Sequence, residues 1–431
     1  MSILLQKLSF GRNLSFKTLL LLILTFFAIS NPAFAQKKVG AGGFLEYMNT
    51  TWIPDKGLKS YGFDSWQMEN AIYNRINLSW TPVKDLEFHA GVRNNFVFGP
   101  MVSTYNTFFE SAGTNYSKLL TQDDGYMDLT WKISGDNSNV LYTNVDRLYF
   151  QYTISKFELT VGRQRINWGK NLVWTPNDIF NAFNYFDFNY IERPGSDAVL
   201  LQYYTGAFSS VQVASKLSYR SETIDSLTTE KKLSLTSAAI YKFNKWNYDF
   251  QFFAGNMVTD ITAGLGWSGN IGGAGFSGEV SWFRDRENFS DTTGVVIASL
   301  SGNYVFKNQI SADVSFIFNS DGSMGLAWES SSLFGNAFSN MFSSSLNVKS
   351  LTPSRLDLFA QLSYPATPLI NVTFSGIYNP WDNSAYVSPN VTISLTENIN
   401  LMLLGQIFTG KQQSEFGDIG QMYFLDLKWS F

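Results

Sequence analysis

The chain contains no cysteine, which removes disulfide staples and a lipid-modified cysteine anchor from consideration. It has a single histidine, His89, and no metal-ligand spacing accompanies it. Charged residues are scarce at 15%, and the net charge of −4 is too small to point to nucleic acid or anionic lipid. After Gln36 no apolar run approaches the roughly 18 to 20 residues that a membrane-spanning helix needs. There is no fixed-period repeat of the kind a solenoid or propeller requires. Phosphate-binding loops and dinucleotide fingerprints are also missing, so no cofactor is expected. Aromatic residues, in contrast, are plentiful at 16%, and the mean hydropathy is close to zero. A membrane barrel, averaging one oily face against one wet face, has that balance.

The N-terminus reads as an export address. Lys7, Arg12 and Lys17 precede an apolar run from Leu19 to Ile29, and Asn31-Pro32-Ala33-Phe34-Ala35 then supplies a small-residue cleavage site before Gln36. Residues 1–35 are therefore expected to be a secretory signal peptide that is removed, and residues 36–431 the working domain. If that domain sits in a membrane, only a closed barrel can do so, because lipid cannot satisfy an unpaired strand edge.

Alternation supports this reading. In the last ten residues Tyr423, Leu425, Leu427, Trp429 and Phe431 share one face, while Phe424, Asp426, Lys428 and Ser430 share the other. Successive side chains of a strand point to opposite faces. The same period recurs over Trp246–Ala254, Ile310–Phe318 and Leu356–Tyr364, and over many further segments. Thr81-Pro82-Val83-Lys84, Asn244-Lys245, Ser268-Gly269-Asn270, Lys307-Asn308, Pro365-Ala366-Thr367-Pro368 and Thr396-Glu397-Asn398 read as tight turns. Trp80, Trp246, Trp267, Tyr304 and Tyr364 stand beside these turns, as an aromatic girdle at one membrane interface would. The expected fold is all-β: a transmembrane antiparallel up-and-down barrel with inward-folding loops. Its strand number is even and set at about 18 rather than 16, with Phe98 to Val145 the ambiguous stretch.

Function in such a barrel resides in its lumen. Polar-phase positions taken as inward place Arg75, Glu87, His89, Arg93 and Arg147 on early strands. Asp249, Asp260, Glu279, Asp313, Asp357 and Asp426 fall on later ones. Basic and acidic sets facing each other across a pore would create a transverse field. The alternative is that these groups pair with neighbouring strands and stiffen the wall. Near Gly162 the rhythm breaks, since Phe157, Leu159 and Val161 point outward and the same phase would put Arg163 and Arg165 into lipid. The strand must bulge or leave the bilayer there, because a charge at the midplane costs roughly 2 to 4 kcal/mol. Thr175-Pro176-Asn177-Asp178 reads as a helix start with about two turns following, to Phe183. The long insertion is expected to fold into the mouth, with Arg163, Arg165, Lys170 and Arg193 as the basic side of a constriction. A second insertion, Ser320 to Ser354, spaces Phe334, Ala337, Phe338, Met341 and Phe342 as a short amphipathic helix would.

From Val161 to Asp197 the chain carries GRQRINWG, TPNDIF and ERPGSD. This stretch resembles a segment of porin-like outer-membrane proteins of Gram-negative bacteria. More distantly it is similar to alginate-export-type barrels, where such a strand end precedes an inward loop. The resemblance implies a passive, substrate-selective channel, and a constriction role for Arg163, Arg165 and Arg193. No long run of luminal arginines marks a polyuronate path.

The expected function is thus an outer-membrane porin-like channel for passive diffusion of small hydrophilic solutes, not an enzyme. Alternatives are a channel for hydrophobic ligands, favoured if the aromatics from Phe180 to Tyr190 close a greasy pocket, and a structural or adhesive barrel with a blocked lumen. A lipid-modifying enzyme ranks last, because His89 has no nucleophile motif beside it. Expected partners are outer-membrane lipid, the barrel-assembly machinery acting on the C-terminal strand (Tyr423, Trp429, Phe431), and small solutes. A homotrimer is left open.

Overall fold

The computed structural model describes residues 38–61, 63, 65–110, 115–182, 184–190, 192–223, 229–290, 293–327 and 347–431. The expected signal peptide and the expected helix around Phe334 to Phe342 lie outside the described residues. The first strands are β1 (Lys38–Ile53), β2 (Gln67–Val83), β3 (Leu86–Phe98), β4 (Thr130–Gly135), β5 (Asn139–Ile154) and β6 (Phe157–Gln164). Next come β7 (Ser196–Gly206), β8 (Ser209–Thr223), β9 (Thr229–Lys245), β10 (Tyr248–Met257), β11 (Asp260–Ile271) and β12 (Ala274–Asp285). The last are β13 (Val295–Val305), β14 (Ser311–Asn319), β15 (Leu356–Thr367), β16 (Ile370–Asn379), β17 (Ser384–Ser394), β18 (Ile399–Thr409) and β19 (Gln421–Ser430). Apart from β4, each pairs antiparallel with the next, and β1 pairs with β19 from Phe44↔Ser430 to Ile53↔Gln421. The result is a closed antiparallel barrel of 18 strands. Closure pairs every edge, the condition for a sheet to stand in lipid.

Burial is inverted relative to a water-soluble protein. Along β15, Asp357 and Phe359 are buried while Leu358, Leu362 and Tyr364 are exposed. Along β19, Met422 and Asp426 point inward and Tyr423, Leu425, Leu427 and Trp429 outward. Gln251, Thr262, Glu279, Ser281 and Ser299 are almost wholly buried, whereas Phe252, Leu265 and Phe316 face outside. Period-two patterning therefore places polar groups in the lumen and apolar ones on the surface.

Sidedness is unambiguous. Connections β2–β3, β5–β6, β7–β8, β9–β10, β11–β12, β13–β14, β15–β16 and β17–β18 are short, and the C-terminus shares their end, with Phe431 and Gly43 exchanging both backbone hydrogen bonds. All long connections emerge at the opposite end. Trp80, Trp246, Trp267, Tyr304 and Tyr364 fall at the short-turn end, where Trp80 stacks on Phe88 at 5.2 Å and Trp429 lies 5.2 Å from Phe431. Four expected turns are corrected: Thr81-Pro82-Val83 ends β2, Asn244-Lys245 ends β9 and Pro365-Ala366-Thr367 ends β15, with reversals at Lys84-Asp85, Trp246-Asn247 and Pro368-Leu369, while Ser268-Gly269-Asn270 lies inside β11, and the reversal comes at Gly272-Gly273. Their φ angles of +58° and +89° suit the two-residue hairpin turn whose twist matches the strands.

The ambiguous stretch after Phe98 holds a helix, Pro100–Glu110, then Tyr116–Leu120, then β4. The first helix starts on Pro100, whose missing N–H costs nothing there. Its Tyr105 packs in an aromatic cluster with Trp52, Phe63 and Tyr116. Strand β4 is not part of the ring. It pairs only with the long-loop end of β5, beyond the point where the eight-residue β6 has stopped. On the other side Gly125 bridges to Ser218 of β8, and Tyr219 donates its N–H to the Asp124 carbonyl at 2.8 Å. Residues 123–135 thus form a patch that completes the wall above the short strands β6 and β7.

Candidate functional site: a loop folded across the lumen

The connection between β6 and β7, residues 165–195, turns into the barrel and is fastened to the wall around most of its circumference. Its first lobe faces β8 to β13. The Trp168 indole donates to Gln212 Oε1 at 2.9 Å, and the Gln251 amide donates to the Trp168 carbonyl at 2.6 Å. Glu279 of β12, fully buried, accepts backbone N–H groups from Lys170, Asn171 and Asn177, the last two at 2.8 Å. Ser299 donates to the Trp174 carbonyl at 2.9 Å, and Ser281 to that of Pro176 at 2.9 Å. The chain then returns to β8, where Lys216 Nζ donates to the Phe180 carbonyl at 2.7 Å.

The second lobe faces β15 to β19 and comes back over β3 and β5. The Tyr185 hydroxyl donates to Ser375 Oγ at 3.0 Å, and the Gln406 amide to the Phe186 carbonyl at 3.1 Å. Phe186 packs edge-on against Tyr386, and Phe188 against Phe424. The Tyr190 hydroxyl donates to Asp146 at 2.7 Å, and the Arg93 guanidinium lies over the Tyr190 ring, 4.5 Å from its centroid. Arg147 donates to the carbonyls of Glu192 and Arg193.

The helix expected from Thr175 onward does not form; the segment is a turn followed by irregular chain. Its physical reason is competition. Of the carbonyls that a helix capped at Thr175 and ending at Phe183 would pair with N–H groups four residues on, that of Pro176 accepts instead from Ser281, and those of Trp174 and Phe180, beyond its first and last such bonds, accept from Ser299 and Lys216. Of the residues in that expectation, Phe183 lies outside the described residues. Asp178 is buried beside Arg165 and Arg193 and accepts from the Trp168 N–H. Burial pushes its carboxyl up to about 7, against the pull of that bond and of Arg165.

Gly162 explains how Arg163 escapes lipid. Pairing with β5 and β7 runs on without a register shift, yet Gly162 has φ +122°. A Cβ there would lie 2.2 Å from the Leu148 carbonyl oxygen, so only glycine fits. The next side chain is thereby aimed along the wall into the 123–129 segment. Arg163 Nε and Nη2 donate to both oxygens of Asp197, at 2.7 and 2.9 Å, and Nη1 donates to Asp123 at 2.7 Å. Burial works against the Asp123 carboxylate, but Arg163 and the N–H groups of Gly125 and Leu129 outweigh it and hold it below its usual value. This one arginine ties together the end of β6, the start of β7 and the wall patch.

The other sequence-derived site residues separate into groups. Arg75 forms a buried pair with Asp146 at 2.5 Å and also donates to Asn77. Arg93, Arg147, Arg165, Lys170 and Arg193 come together with the loop, as does Glu279 across the barrel. Asp260 receives Lys349 at 3.0 Å, Asp313 receives Gln361, and Asp357 accepts from Thr352. Asp249 lies exposed near the short-turn end beside Asn244, away from the loop. His89 stacks on Tyr149 at 4.7 Å and meets Glu87. Sequence reasoning missed Asp123, Asp146, Asp197 and Gln251, whose roles depend on partners distant along the chain.

Above the loop, towards the long-loop end, lies a vestibule of about 840 Å3. Its floor is the loop itself around Phe180 and Tyr190, and its sides include Tyr73, Tyr142, Thr236 and Lys349.

The fold recurs in solved structures. OccAB3 of Acinetobacter baumannii matches with a TM-score of 0.55 at 10% identity, over 92% of this chain and 99% of that one. OccAB4 of the same organism gives 0.54 at 10% identity, over 93% and 100%. The outer membrane protein opdK from Pseudomonas aeruginosa gives 0.52 at 10% identity, over 91% and 98%. Likeness at such identity is likeness of fold. No protein-family model matches the sequence, and no curated protein matches it.

Proposed function

We propose that the protein is an outer-membrane porin-like channel through which small hydrophilic solutes diffuse, with the loop 165–195 narrowing the path. The long-loop end then faces outside the cell and the short turns face the periplasm. One observation carries this reading: a closed barrel with an apolar exterior encloses polar residues and one loop bonded to both sides of the lumen. The matching solved structures, one of them an outer membrane protein, are consistent with it. Residues 1–35 act as the export signal on this reading, and Tyr423, Trp429 and Phe431 as the assembly signal of the last strand. A solute path tuned for hydrophobic ligands is less well supported, since Tyr185 and Phe186 are spent against Phe359, Tyr386 and Phe408 of the wall. The distant alginate-export likeness would ask for a track of free luminal arginines. Arg75 and Arg163 are instead bound to carboxylates, and Arg147 to carbonyl oxygens.

Single-channel recording of the purified full-length protein in a planar bilayer tests the proposal. Ohmic steps are expected, and a protein that inserts but never conducts would overturn it.

A further inference from the structure

Resting on the channel reading, we infer that the vestibule above the loop is a binding site for neutral, polyhydroxylated solutes, small saccharides in particular, and not for ions of one sign. Charge balance is the first ground. Among the described residues the vestibule is lined by six cationic side chains, Arg93, Arg163, Arg193, Lys216, Arg220 and Lys349. Six anionic ones, Asp123, Asp124, Asp146, Asp187, Asp197 and Asp260, line it as well. Several of these are already partnered. Arg163 is held by Asp123 and Asp197, Lys349 by Asp260, and Asp146 by Arg75 of β2. Lys216 is bonded to a carbonyl, and Arg93 lies between the rings of Tyr73 and Tyr190 at 4.6 and 4.5 Å. A charged solute entering here meets opposite charges close together, whose fields cancel within a few ångströms.

The neutral lining is the second ground. Six asparagines, Asn95, Asn144, Asn181, Asn184, Asn189 and Asn347, border the space together with Gln122. A carboxamide both donates and accepts, and so does a sugar hydroxyl, whereas a carboxylate or an ammonium offers one role only. Tyr142 and Tyr219 add flat apolar rings with polar tips, suited to the C–H faces of a pyranose, whereas Tyr73 and Tyr190 hold Arg93. At about 840 Å3 the space lies in the ordinary size range of small-molecule sites.

The test uses the full-length protein in two settings. In detergent micelles, calorimetric titration is run with sucrose, benzoate and glycylglycine as the neutral, anionic and zwitterionic probes. Sucrose should bind and the other two should bind several-fold more weakly. Asn189→Ala should weaken sucrose without improving benzoate. In the bilayer, a salt gradient should give a reversal potential near zero, and Asp187→Asn, which leaves six cations against five anions, should shift it towards anion selectivity by about twofold or more in permeability ratio. Benzoate or glycylglycine binding more tightly than sucrose would overturn the substrate class while ohmic steps leave the channel standing. Sucrose binding to a silent barrel would instead remove the channel reading and keep the site. An unaltered reversal potential in Asp187→Asn counts against the charge-balance argument.

Discussion

Replacing Glu279 should loosen the loop without unmaking the barrel. Its Oε1 accepts the Lys170 and Asn171 N–H groups and its Oε2 that of Asn177. In Glu279→Gln the shape is kept, but one oxygen becomes an NH2 group. With the amide oxygen kept at the Oε1 position, two bonds survive and the Asn177 N–H faces a donor. One buried donor left unpaired costs about 1 to 3 kcal/mol. At tenfold per 1.4 kcal/mol, the released loop should become roughly 5 to 150 times more populated. Glu279→Ala orphans three donors, and the loss should exceed that of the isostere, limited by water entering beside the loop. Trypsin provides the assay, since Arg165 and Lys170 lie within the loop and become cleavable only on release. When opening and closing outpace cleavage, the nicking rate follows the open population. Single-channel recording gives a second readout, with larger or noisier steps expected as the constriction withdraws. Nicking rates of both variants within twofold of the parent protein would refute the claim that Glu279 holds the loop.

Two further outcomes follow from the same contacts. Arg163→Lys retains the charge but cannot serve both carboxylates with a planar fork, so about 3 to 5 kcal/mol of buried pairing is put at risk; heat-modifiable migration on gels should appear at a lower temperature, and an unchanged transition would argue against the junction role. Asp178 has its carboxyl raised from 3.8 to about 7, so the protonated form is the one the folded loop prefers. Its contribution to holding the loop is full below about pH 4 and is lost as pH rises through 7. Trypsin is poorly active at the acid end, so pepsin and a broad-range protease should bracket the series. Asp178→Asn should weaken the pH dependence, and a variant with the parent's pH profile would contradict the assignment.

The strands were legible because the signal is local. In Leu356–Tyr364 every residue but the inward Phe359 declares its face by its own polarity, and the outward neighbours two positions apart agree. Turn positions were less secure: Gly269 in Ser268-Gly269-Asn270 looked like a breaker, yet Gly272-Gly273 lies three residues on and can take positive φ at both positions. The insertion was recognised as an inward loop from its mixture of rings and charges. Its conformation was not, because its backbone bonds to wall side chains that are distant along the chain, Ser281 taking the Pro176 carbonyl and Glu279 the Asn177 N–H. Arg163 could be seen to be misplaced for lipid, but not to which carboxylates it would go, since Asp123 and Asp197 are set by the fold and not by spacing. Arg75 was likewise legible as luminal, but its partner Asp146, outside the acidic set read from the chain, was not.

A closed sheet resists stretching along its hydrogen-bond ladder but bends easily in cross-section, so an unbraced cylinder of this girth would flatten and recover continually. The loop bonded to Glu279 on one side and to Gln406 and Asp146 on others acts as a set of spokes within a rim. Roundness, on this view, is maintained from the hub, and cutting the spokes would soften the outline of the whole cylinder even at strands the loop never touches.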